Sequence, residues 1–285
     1  MVSIIGIVVV FAMVFGGYAL AGGKFGIIVK ALPFEMMMIG GAALGAFLIA
    51  NSGAAAKGVL KDIGGVFKGP RWKPDDYRDL LCLLFELIRI ARQNPIELEE
   101  HIEGPETSAI FQRYPRILKD HEAVDLICDT MRSATMNYDD PNQVEEVLDK
   151  RMEVNQHHAL HTSHALQTVA DGLPALGIVA AVLGVIKTMG SVGQPPAVLG
   201  AMIGSALVGT FLGILLAYAF AEPLAGLLEQ KVDEAGKELQ CIKTTLLASM
   251  QGYAPQVAVE FGRKVLYSTE RPTFAELEKH VKGKK

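Results

Sequence analysis

The chain has 285 residues, half of them hydrophobic and 20% charged, with a formal net charge of −4. So small a charge, with no Lys/Arg-rich arm and no aromatic-basic alternation, implies no nucleic-acid or polyphosphate partner. The apolar residues gather in four blocks, which a uniform globular domain of the same averages does not do.

Val2–Ala21 and Phe34–Ala50 form one apolar pair; Leu173–Met189 and Leu199–Phe220 form the other. Each block is near the roughly 20 residues that carry a helix across about 30 Å of hydrocarbon. None has Asp or Glu at its centre, so the chain is expected to bring no acid of its own to mid-membrane. Ala19-Leu20-Ala21 is similar to a signal-peptide cleavage site. No Lys or Arg precedes the first block, however, and the block is long enough to span, so we expect a retained span. Lys57, Lys61, Lys68, Arg71 and Lys73 follow the second block, whereas the loop Gly190–Val198 has no Lys or Arg. Lys24 and Lys30 in the first loop weaken this contrast without reversing it. The bias predicts a cytoplasmic insert, cytoplasmic termini and both short loops outside.

The expectation is an all-α integral membrane protein in four parts. Residues 1–51 and 173–221 are transmembrane hairpins, 52–172 a cytoplasmic helical domain, and 222–285 a cytoplasmic helical tail. Gly41 with Gly45, Gly200 with Gly204, and Gly209 with Gly213 form G-x-x-x-G pairs. Such pairs let helix backbones approach closely, within one subunit or between subunits.

After the second block, Gly58, Gly64, Gly65, Gly69 and Pro70 predict a broken connection. Pro74-Asp75-Asp76 opens a helix with acids near the positive end of its dipole. Leu80, Leu81, Leu84, Leu87, Ile88 and Ala91 keep its period until Asn94-Pro95. Helices are expected at Ile96–Ile102, Thr107–Tyr114 and Lys119–Thr135, then a turn at Asp139-Asp140-Pro141. No breaker follows Gln143 until Gly172-Leu173-Pro174, so that helix should run into the third span. After Pro223, Leu224–Gln251 should prolong the fourth span as one helix, ended by Gly252-Tyr253-Ala254-Pro255. Thr273 and Glu276 form a capping box for a last helix.

The chain contains no Walker loop, dinucleotide fingerprint, G-x-S-x-G or H-E-x-x-H, so no enzyme site is expected. Cys82, Cys128 and Cys241 lie far apart and read as free thiols. His157, His161 and His164, with His158 beside them, share a helix face that could hold a divalent metal; exposed unpaired histidines are the commoner case. Thr210 sits in the fourth block. Its hydroxyl either bonds the carbonyl one turn back or lines a wet path. Pro174 and Pro223 each free a backbone carbonyl. With Thr210 at the same depth, they suggest a hinge beside an ion path. Asp171 stands at the expected cytoplasmic mouth, where it could exchange a proton or serve as an interfacial charge. Driving protons across needs a titratable group part-way, so a partner must supply one.

Leu173-Pro174-Ala175-Leu176-Gly177-Ile178-Val179-Ala180-Ala181-Val182 and Val208–Tyr218 closely resemble the MotA family of flagellar stator subunits. So do Gly252-Tyr253-Ala254-Pro255, Val259–Lys264, Tyr114–Leu118 and Glu270-Arg271-Pro272. The resemblance implies a pentamer around a dimer of MotB, whose transmembrane Asp takes up the proton, in the bacterial inner membrane among its lipid. It implies no cofactor, protons as the coupling ion, and the rotor protein FliG as a contact. A charge crossing the membrane supplies about 2.3 kcal/mol per 100 mV, a modest push per step. The family's rotor-contacting arginine falls on Arg92. Its glutamate falls on Glu99, with Glu97 and Glu100 as neighbours because the spacing is one residue short. The functional prolines map to Pro174 and Pro223, and Thr210 matches a threonine shared by proton- and sodium-driven members. Ala181 replaces a second threonine of sodium-driven members, and a methyl cannot help coordinate sodium. Lys150-Arg151 replaces acids found in some members. Two other classes compete. An ExbB/TolQ-like energising subunit would have three spans; a lone secondary transporter would want a midplane charge or broken spans.

Overall fold

Inside hydrocarbon a backbone N–H or C=O finds no water, so an apolar run must close its hydrogen bonds within itself, as a helix. The computed structural model describes residues 2–66, 71–135 and 140–282, and among them there are helices and no strand. In chain order these are α1 (Val2–Leu20), α2 (Phe25–Ala50), α3 (Gly53–Val66), α4 (Pro74–Gln93), α5 (Pro95–Glu103), α6 (Pro115–Leu118) and α7 (His121–Thr135). Then come α8 (Pro141–Met189), α9 (Pro196–Leu216), α10 (Glu222–Ala235), α11 (Lys237–Met250), α12 (Pro255–Lys264) and α13 (Phe274–Lys282). Six of them begin on proline, where the missing N–H has no helical partner to lose. Four helices, two of them continuous with longer polar stretches, are long and apolar enough to cross a membrane. The all-α, four-span expectation holds.

The chain divides into two compact units. One comprises Met1–Gly69 with His158–Lys231, the other Pro70–His157 with Val232–Lys285. In the first, α2 packs along α9, and Phe15 of α1 meets Phe211 of α9 edge-on at 6.1 Å. In the second, α4 is the hub. Leu80, Leu81, Leu83, Leu84, Leu87 and Ile88 are fully buried, with α5, α11, α12 and α13 packed against them. Buried Glu86 on that hub accepts from Tyr114 Oη at 2.8 Å and pairs with Arg113. Cys82, Cys128 and Cys241 are buried and form no disulfide among the described residues, as expected. Burial pushes the Cys128 thiol up to about 12, which makes it inert.

Several expected elements are corrected. The second apolar helix starts at Phe25, not Phe34, and runs through Pro33 because Phe25–Val29 continues the apolar run. No broken connection spans Gly58, Gly64 and Gly65, which all lie inside α3. Lys68, Gly69, Pro70 and Asp139 lie outside the described residues. In place of a helix over Thr107–Tyr114 there is a 3-10 turn at Phe111–Arg113, set by Ser108 Oγ accepting the N–H groups of Ile110 (3.3 Å) and Phe111 (3.4 Å). The helix expected from Lys119 begins at His121. Asp120 ends the preceding turn, accepting from Ala123 N–H (3.4 Å) and Trp72 Nε1 (3.2 Å). The stretch after Pro223 is two helices, divided at Gly236. The Pro74 helix and the Thr273 capping box form as read. Thr273 N–H donates to Glu276 Oε2 at 2.8 Å, and Glu276 N–H to Thr273 Oγ1 at 3.2 Å.

Candidate functional site

Helices α8 and α9 meet through glycine. A Cβ on Gly177 would stand 2.9 Å from Gly209 O and 3.1 Å from Gly213 Cα. A Cβ on Gly213 would stand 2.7 Å from Leu173 O, and one on Gly184 2.6 Å from Ala206 Cβ. Any side chain at these glycines would wedge the helices apart, so the Gly209/Gly213 pair serves packing within the chain. By contrast, a Cβ on Gly41, Gly45 or Gly200 would meet nothing within 4 Å. Those faces are open.

The seam gathers some of the candidate residues. Ala181 is half-buried, and its backbone N would be 3.3 Å from a Cβ on Gly209, the residue next to Thr210. Thr130, Thr168, Thr188 and Thr245 each bond the carbonyl one turn back, at 2.7, 3.0, 2.9 and 2.8 Å. Half-buried Thr210 makes no such bond among the described residues.

Pro174 lies inside an unbroken α8, so Ala170 O has no N–H to receive from it. Pro223 is the second residue of α10, directly after a π-helical turn at Ala217–Ala221 in which Glu222 N–H reaches back to Ala217 O. π turns are rare and are frequently found at functional sites. The two prolines and Thr210 do not share a depth, contrary to expectation. Leu173 O faces Gly213, three residues beyond Thr210, whereas Pro223 is ten residues further, ~15 Å along the axis. Asp171 is exposed and accepts from Gln167 Nε2 at 2.9 Å.

In the second unit, Arg92 is exposed on the last turn of α4 and donates through Nη2 to Tyr253 O at 2.5 Å. Asn94 joins α4 to α5, on which Glu97, Glu99 and Glu100 are all exposed; Asn94 Nδ2 donates to Glu97 Oε2 at 3.3 Å. Lys150 and Arg151 are engaged within the chain, with Glu153 at 2.8 Å and Asp129 at 2.9 Å. His157, His158, His161 and His164 are exposed, and among the described residues no cluster is arranged to hold a metal.

One residue was missed. Glu35 lies in the interior of α2, 4% exposed, with Oε2 unpartnered among the described residues. One of the four apolar helices therefore carries an acid in its interior, which the expectation of no acid at mid-membrane did not take into account. The signal was the apolar run Phe25–Val29, which lengthens the helix toward its N-terminus and moves Glu35 from its edge to its interior.

The model of the motility protein A N-terminal family matches residues 4–95, and that of the MotA/TolQ/ExbB proton channel family matches residues 119–241. Motility protein A of Escherichia coli (strain K12) is 46% identical over 286 residues, an alignment covering 100% of this chain and 96% of that one. The solved structure of C. jejuni MotAB superposes with a TM-score of 0.73 at 19% identity, over 93% of this chain and 95% of that one. The flagellar MotAB stator complex of Bacillus subtilis superposes at 0.69 with 22% identity, over 90% and 92%. These two likenesses establish the fold.

Proposed function

The chain belongs to the MotA/TolQ/ExbB proton channel family as a stator subunit of the flagellar motor, not an enzyme, and from there we propose that it works with MotB as a proton path whose flow turns the rotor. Five copies surround a MotB dimer in the bacterial inner membrane, and the transmembrane Asp of MotB takes up each proton. The open faces at Gly41, Gly45 and Gly200 support this assembly, because close-packing faces with nothing against them suit neighbouring helices. Protons need no cofactor. Ala181 offers a methyl where a sodium ligand would need oxygen, which supports protons over sodium.

Residues 52–172 and 222–285 lie in the cytoplasm, with both termini on that side, as the Lys/Arg bias supports. There Arg92 and Glu99 meet FliG, and their exposure supports that role. Pro174 and Pro223 act as separate flexible points, one inside α8 and one after the π turn, while Asp171 passes protons at the cytoplasmic mouth. The observation that carries this reading is 46% identity to a motility protein A along the whole chain. It also decides against the ExbB/TolQ-like alternative, as does the fourth span. Deleting the gene should leave cells with complete flagella that do not turn, and restoring the chain should restore swimming. A deletion strain that swims and loses an uptake function instead would contradict it.

A further inference from the structure

Glu35 stands ten residues into α2, ~15 Å along its axis from Phe25. Its surroundings are apolar or glycyl. A Cβ on Gly209 would lie 2.6 Å from Glu35 Oε2, 3.2 Å from Ala180 Cβ and 3.3 Å from Ala181 N. The carboxyl thus fills the space that glycine leaves at the junction of α2, α8 and α9. From Leu173 to Ile186 of α8 and along all of α9 there is no titratable side chain to face it. On α2 itself the nearest charge in sequence is Lys30, which is exposed. A carboxylate with a bare oxygen in such a place is strongly disfavoured unless it carries its proton or a wet path reaches it.

We infer that Glu35 is a proton-binding site that this chain itself adds to the ion path, beside Gly209, Thr210 and Ala181. It holds a proton at rest and exchanges it with water in the path. The O–H bond of the acid breaks as a water accepts the proton, and the carboxylate left behind takes the next proton from the outer side. This rests on the proton-conducting reading above. Because Gly209 is what leaves room for the carboxyl, the site is built by two helices together.

The test uses the chain co-purified with its MotB partner. The infrared spectrum of the complex should contain the carbonyl stretch of a protonated carboxyl that shifts in D2O and is lost in Glu35→Gln. In vesicles, Glu35→Gln should slow proton flux about tenfold or more, while Glu35→Asp should retain part of it. Glutamine keeps the size and polarity of the side chain, so a purely structural Glu35 would leave flux unchanged in that variant. That result, or a spectrum with no Glu35 band, overturns the inference. Where Glu35→Gln does not assemble, Glu35→Asp carries the assignment, because it should shift the band rather than abolish it. A wild-type complex that passes no protons overturns the conducting reading and this inference with it; a wild-type that conducts no faster than Glu35→Gln overturns this inference alone.

Discussion

Gly177 and Gly213 meet backbone to backbone, so that a Cβ added to Gly213 would stand 2.8 Å from Gly177 Cα. Overpacking of this kind costs about 1–3 kcal/mol. Gly213→Ala should lower the thermal stability of the purified complex and impair swimming, because α8 and α9 must separate around Leu173 and Pro174. Gly41→Ala, with open space around it, should leave the fold of the single chain intact. A Gly213→Ala complex as stable as the unaltered one would rule out the tight seam.

Among the described residues Arg92 reaches only the Tyr253 carbonyl, and it is exposed. Arg92→Glu should therefore change stability by no more than about 0.5 kcal/mol while reducing torque, read from tethered-cell rotation, with proton flux unaltered. Unchanged rotation would remove Arg92 from the rotor interface.

Pro174→Ala returns an N–H to the carbonyl of Ala170 and stiffens α8. Membrane insertion should be normal and swimming lost, as measured by membrane fractionation and motility plates. Normal swimming would show that flexibility at this point is not required.

Swimming speed should track the proton motive force at fixed pH and ignore external sodium, since Ala181 supplies no oxygen ligand. Speed that rises with sodium would contradict the assignment of Ala181.

Glu238 is buried at the start of α11, 1% exposed. Burial pushes its carboxyl up to about 8, against the opposing pull of its backbone hydrogen bond and Arg71. The folded chain thus keeps a proton that the unfolded chain releases above about 4.5. The resulting stability is full below that value and is lost as pH rises through about 8. Thermal melts of the complex across this window should fall with pH, and Glu238→Gln should flatten the slope. An unchanged slope would assign the loss to another group.

Elements with a local physical cause were legible in the residues. Proline at the start of α4, the Thr273–Glu276 box and the length of the apolar blocks each act within a turn or two. What escaped depends on contacts distant in sequence. Glycines at 58, 64 and 65 read as breakers but sit inside α3, whose hydrogen bonds outweigh their flexibility. Asp120 opens α7 by accepting Ala123 N–H, and it also accepts from Trp72 Nε1, 48 residues away. Glu35 is the second residue of the block Phe34–Ala50 but the eleventh of α2, and only packing on Gly209 reveals its burial. Pro223 lies thirteen residues beyond Thr210 on one continuous helical path, ~20 Å, a separation the residues themselves carry; that Leu173, next to Pro174, faces Gly213 needed the structure.

Proton flux into vesicles, with this chain reconstituted alone and together with MotB, decides whether the path is shared between two polypeptides. Flux should be substantial with both and negligible with this chain alone, since Glu35 by itself holds a proton but does not complete a route. Rapid flux through this chain alone, or none through the pair, would contradict it.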